Sequence, residues 1–167
     1  MGFQMTKMHS ILGILLLVVT SPAQTGTSSV DRNRALDQLV DSLKSHQIEQ
    51  IEILHVSDNL ETPIRITPET VHRLARYKVV IEKPWELSSF QGLLVALQEV
   101  GRASTREAGE VRWAMVFLDG AGKERSTVYF SRDGKIGVFE GTPLSLSGTL
   151  LSWSRGLIRS AFLESGK

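Results

Sequence analysis

The chain has 167 residues, 41% of them hydrophobic and 22% charged, with no cysteine and a formal net charge of +1. That length gives one domain room for a core, and with its 14 glycines about half of the chain is apolar or Gly, which excludes wholesale disorder. The absence of Cys excludes a disulfide scaffold, a thiolate zinc site, a cysteine nucleophile and lipid attachment through a thiol. The balanced charge lacks the basic excess of a nucleic-acid or anionic-membrane binder, so no nucleic-acid partner is expected.

Residues 1–10 hold one Lys and no acid, Ile11–Val19 is an unbroken apolar run, and Thr20-Ser21-Pro22-Ala23-Gln24 follows. This is the order of a secretory signal peptide over residues 1–23, with cleavage near Ala23. Met5 and Met8 are alternative starts. A membrane-spanning helix needs about 20 apolar residues, and Thr20, Ser21 and Pro22 end the run well short of that, so no stable membrane anchor is expected after cleavage. Removing residues 1–23 takes away only Lys7 among the charged groups and leaves acids and bases equal in number. A cysteine-free exported protein fits a bacterial periplasm or secretion from a bacterium. Residues 24–30 (QTGTSSV) read as a flexible tether, and 31–167 as a single domain.

In chain order, Asp31–Ser45 places Ala35, Leu36, Leu39, Val40 and Leu43 at helical spacing. Gln47–Ser57 alternates as a strand covered on much of both faces. Asp58-Asn59 makes a turn, and Thr62–Ile66 is expected to return as a short partner strand starting near Pro63. Thr67-Pro68-Glu69-Thr70 is a helix start, with a capping hydroxyl, a preset proline and an acid in the first turn. The short helix runs to about Arg76, and Tyr77–Glu82 is a strand. After Lys83-Pro84, Ser88 and Gln91 fit a capping box. Leu87, Phe90, Leu93, Leu94, Leu97 and Val100 form one apolar stripe, with Gly101 where a C-cap glycine belongs.

Val111–Leu118 and Ser126–Ser131 are β-branched and aromatic, joined by the hairpin signal Asp119–Lys123. Arg132–Lys135 is a second tight turn leading to Ile136–Glu140, Gly141-Thr142-Pro143 stops that strand, and Leu146–Leu163 is a final helix. Connections this short allow only an antiparallel three-strand meander in the C-terminal half. The predicted fold is α+β, an antiparallel sheet with helices packed mainly on one face.

Chemistry is sparsely signalled. His9, His46, His55 and His72 show no metal-ligand spacing. His46 ends the first helix, where a charged imidazole suits the dipole. His55 lies mid-strand, and His72 stands on the polar face of the short helix beside Arg73 and Arg76. Tyr129, Ser131, Asp133, Gly134 and Glu140 imitate a calcium loop, but Tyr129 occupies the first ligand position, so the segment reads as a β-turn. Asp119–Lys123 lacks the spacing of a phosphate-binding loop, and Ser154 lacks the first glycine of a nucleophile elbow. Glu110, Asp119, Asp133 and Glu140 gather around the ends of the meander, where two carboxylates could meet. Of the three tryptophans, Trp113 and Trp153 fit core positions, while Trp85 at a helix mouth is the candidate partner-binding anchor.

No catalytic array, cofactor site or metal site is expected. The first reading is a small non-catalytic binding module that takes an envelope protein or a small ligand. The alternative is a small hydrolase or metal-dependent enzyme built from His55 with acids such as Asp119 and Glu140.

Overall fold

The computed structural model describes residues 29–61, 63, 65–103 and 110–165. Helix α1 (Ser29–Lys44) leads into strand β1 (Gln50–His55), helix α2 (Pro68–Leu74) and strand β2 (Tyr77–Glu82). A 3-10 turn (Pro84–Glu86) precedes helix α3 (Phe90–Gln98) and the two-residue strand β3 (Gly101–Arg102). Strands β4 (Val111–Leu118), β5 (Glu124–Ser131), β6 (Ile136–Phe139) and β7 (Thr142–Ser145) follow, and helix α4 (Thr149–Ser165) closes the order. The fold is α+β. All strand pairs are antiparallel in one sheet ordered β2-β1-β4-β5-β6-β7-β3.

Period-two alternation partitions the core between the two faces of this sheet. Ile51 and Ile53 of β1, Trp113, Met115 and Phe117 of β4, and Val128 and Phe130 of β5 pack on one face under α1, α3 and α4. Leu39, Leu43, Leu93, Leu97 and Leu150 are the helical side of that layer. The alternate residues Leu54, Ala114 and Val116 turn to the other face, where Val71 of α2 covers them with Ile66. β4 is central and buried on both sides, which is why it carries no charge except Arg112, next to a register shift between Val111 and Trp113.

Several sequence expectations are corrected. The partner of β1 is β2, not Thr62–Ile66: Pro63, Arg65 and Ile66 lie in no strand, and the Ile66 carbonyl accepts the Val111 N–H at 3.0 Å. Pro63 has no N–H to give a ladder. The box predicted at Ser88 is absent, since α3 starts after Ser89 with no side-chain cap, whereas Thr67 and Thr70 form a reciprocal box on α2. Gly101 does not cap α3; it begins β3, which pairs with β7. The strand before Gly141-Thr142-Pro143 does stop, at Phe139, but Gly141 at φ +71° turns the chain into a further strand, β7, so the meander has four strands rather than three. Helix α1 opens at Ser29, within the segment read as tether. The stretch read as signal peptide, 1–23, lies outside the described residues, as do Thr62 and Ile64. Among the described residues no helix is long and apolar enough to cross a membrane.

Candidate functional site

The ends of β1 and β2 carry a cross-strand row of rings. Register pairs Tyr77 with His55, His55 with Trp113, and Trp113 with Phe130. Ring centroids are 5.7 Å apart for Tyr77–His55, 3.9 Å for His55–Trp113 and 5.8 Å for Trp113–Phe130, all stacked. Phe130 and Trp113 anchor the row in the core, and Tyr77, 36% exposed, ends it at the sheet edge. Stacked rings of this kind add to the stability that area burial gives them.

An open cleft of about 630 Å³ lies against this row, with Ile158 of α4 on its apolar side. Its polar side comes from two connections: Ser57, Asp58 and Asn59 after β1, and Arg132 in the β5–β6 turn. Asp58 Oδ1 stands 3.8 Å from His55 Nε2 and 3.4 Å from Arg132 Nε. The His55–Asp58 separation is too long for a hydrogen bond, and the pair becomes ionic only when the imidazole is protonated. Both atoms are buried and lack a hydrogen-bond partner, a costly arrangement. Burial holds the imidazole pKa below its ordinary value; Asp58 opposes that shift, while Arg155 and Arg112 add to it.

Arg112 fixes the loop that bears Asp58. Its Nη1 donates to the carbonyls of Ser57 at 2.8 Å and Leu60 at 3.1 Å, and its Nη2 meets Glu110 Oε1 at 2.9 Å. One forked guanidinium thus ties the chain after β1 to the central strand.

The other candidates are separated from this place. His55 pairs with Trp113, whereas Gln50, at the other end of β1, pairs with Leu118, which precedes Asp119. The grouping of His55 with Asp119 and Glu140 is therefore not formed. Asp119 Oδ1 accepts the N–H groups of Ala121 and Lys123, both at 3.0 Å, and so caps its own hairpin. Glu140 lines a small cavity of about 170 Å³ against α1, with Arg125 and Ser126. Asp133 accepts the Ser131 hydroxyl at 2.6 Å and the Lys135 N–H at 3.1 Å, bonds that hold its carboxyl below the usual range. The calcium-like segment is thus a self-satisfied turn, with Gly134 at φ +67°.

Trp85 follows β2 at the end of the sheet away from the cleft, half-buried and stacked on His46 at 4.2 Å. His46 is exposed and left-handed, φ 59°, just after α1. His72 is exposed but partnered, its Nε2 lying 3.1 Å from the Tyr129 hydroxyl on the α2 face. Trp153 donates to the Ser89 carbonyl at 2.9 Å and joins α4 to α3. Among the described residues no group of three or more His, Asp or Glu side chains could hold a metal ion.

Sequence reasoning singled out His55 and missed Asp58, Tyr77 and Arg132. The available signal was the Asp58-Asn59 turn closing the strand that carries His55, which brings an acid back toward that histidine. Comparison of the chain with protein-family models, with curated proteins and with solved structures gave no match, so its function is read from this site alone.

Proposed function

We propose that this chain is a non-catalytic binding module whose ligand site is the His55–Asp58–Arg132–Tyr77 cleft. The observation that carries the reading is one open concavity that combines a stacked ring wall with convergent polar groups, one of them the unsatisfied His55–Asp58 pair. The chemistry fits a small hydroxyl-bearing molecule with a flat or apolar part. That part lies against Tyr77 and Ile158. A ligand hydroxyl donates to the accessible part of the Asp58 carboxylate, a side chain 30% exposed. Arg132, 63% exposed at the rim, adds attraction for an anionic substituent.

The test is a panel of monosaccharides, polyols and hydroxy acids at millimolar concentration, followed by NMR shifts of the His55 and Tyr77 rings. Specific saturation by one class, lost in Asp58→Ala and Tyr77→Ala, supports the reading. A panel without effect on either ring, or binding indifferent to both variants, overturns it.

The neutral, Asp58-paired imidazole favours a second reading, in which His55 is a general base of a small hydrolase. Among the described residues no Ser or Thr hydroxyl is hydrogen-bonded to His55, and the Ser57 hydroxyl instead faces the Asn59 N–H at 3.4 Å. Turnover of ester or glycoside substrates abolished by His55→Gln would support that second reading.

We further propose that the module is exported, periplasmic or secreted, after removal of residues 1–23; the Ile11–Val19 run and the small residues Ser21 and Ala23 support this. Intact-mass measurement on protein from its native host is expected to find a chain that begins at or near Gln24. Recovery solely as full-length chain in the membrane fraction would refute export. Trp85 is proposed as a protein-contact anchor distinct from the cleft, tested by loss of a captured partner in Trp85→Ala.

A further inference from the structure

We propose that β2 is the pairing edge of a two-fold symmetric dimer of this chain, independently of what the cleft binds. β2 is bonded to β1 on one side and, among the described residues, to no strand on the other. The hydrogen-bond alternation shows which of its backbone groups are unused. The Val56 N–H bonds the Arg112 carbonyl of β4, so Ile51, Ile53 and His55 turn their backbone groups the opposite way, toward β2. The Lys83 N–H bond to the Glu49 carbonyl fits the same alternation. Lys78, Val80 and Glu82 therefore direct their N–H and C=O groups outward from the sheet.

These three residues also form a self-complementary set. In an antiparallel pair with a second copy centred on Val80, the two Val80 residues face each other. Each Lys78 then faces the second copy's Glu82. Every outward N–H and C=O of the three residues finds a partner in that register. Val80 is 46% exposed, one of the few large exposed hydrophobics of the described chain. Lys78 contacts Glu52 at 2.8 Å, yet its side chain is 53% exposed and remains available across the edge. Edge strands commonly carry charge to repel a stray strand. Here the two charges are opposite in sign and symmetric about Val80, so the same pattern that discourages a generic strand attracts a second copy of itself. Lys83, at φ 47°, and Pro84 end the strand and limit slippage of that register.

The test exploits the cysteine-free chain. Val80→Cys carries a single thiol and is expected to form a disulfide-linked dimer under mild oxidation, since facing residues of an antiparallel pair lie within disulfide reach. Val95→Cys, at the 48% exposed valine of α3, is expected to stay uncrosslinked. By sedimentation equilibrium the wild type is expected to be a concentration-dependent dimer. Glu82→Lys keeps the Lys78–Glu52 contact but sets like charges against each other twice, weakening association about tenfold or more. Lys78→Glu is expected to do the same, and the double variant Lys78→Glu/Glu82→Lys to restore it. A wild type monomeric into the millimolar range, or Val80→Cys crosslinking no faster than Val95→Cys, overturns the proposal. So does dimerisation indifferent to both charge reversals.

Discussion

Replacing Arg112 by Met tests whether the cleft loop is held by one buried guanidinium. The Arg112 side chain is 8% exposed and its Nη1 supplies hydrogen bonds to two backbone carbonyls, those of Ser57 and Leu60. Hydrogen bonds from a charged group contribute about 1.5–3 kcal/mol each, so those two together contribute roughly 3–6 kcal/mol. Contact with the 40% exposed Glu110 adds at most about 1 kcal/mol. Against this stands the desolvation of a buried charge, several kcal/mol after relaxation, with Nε left without a partner. Met refills the volume and needs no hydration, which returns part of that penalty. The net expectation is a loss of about 2–4 kcal/mol, on the order of 10 °C in Tm for a domain of this size. Urea denaturation followed by tryptophan fluorescence measures it, with Trp113 in the ring row as an internal reporter. Arg112→Lys should recover only part of the loss, because one ammonium does not reproduce the planar fork. A loss below about 0.5 kcal/mol for Arg112→Met, the range of an ordinary surface change, would refute the argument.

Leu97→Ala, at a site 1% exposed, is expected to cost about 2–5 kcal/mol in the same assay, while Val95→Ala, 48% exposed on the same helix, stays within about 0.5. Equal effects would mean the stripe does not face the core. Gly134→Ala combines a left-handed backbone, φ +67°, with a new Cβ 2.5 Å from Leu151 Cβ, so a loss of about 2–4 kcal/mol is expected; a melt unchanged from the wild type would contradict that contact. For pH, the folded His55 gives up its proton more readily than the unfolded chain, whose imidazole titrates near 6.5. Between the folded value and 6.5 the unfolded state holds more protons, so stability falls as pH drops through that window. Urea midpoints against pH should show this step in the wild type and lose it in His55→Gln.

Local rules made much of this fold legible in the sequence. Tyr77–Glu82 and Val111–Leu118 have the same bounds in the structure as their residue patterns predicted. Helices α1, α3 and α4 were visible from apolar spacing, although α3 is shorter than its stripe. Errors fell where two signals compete. Pro143 reads as a breaker, yet it sits in β7, where Val138 lies opposite it. Thr62–Ile66 reads as the second half of a hairpin, but the pairing went to a strand on the far side of α2, a choice between distant segments that alternation cannot make.

The candidate site shows the same division more sharply. The sequence by itself determined that His55 sits on a strand, that Asp58 turns the chain back after it, and that Trp113, Tyr77 and Arg132 stand near the ends of their own elements, because each of these depends on neighbours a few residues away. Only the tertiary structure decided that Tyr77, His55, Trp113 and Phe130 share one row, that Arg132 reaches Asp58, and that Asp119 and Glu140 do not join them. The physical reason is strand order and register. Antiparallel pairing between segments distant in sequence is fixed by which faces the helices bury, and it brings side chains together that no local spacing relates.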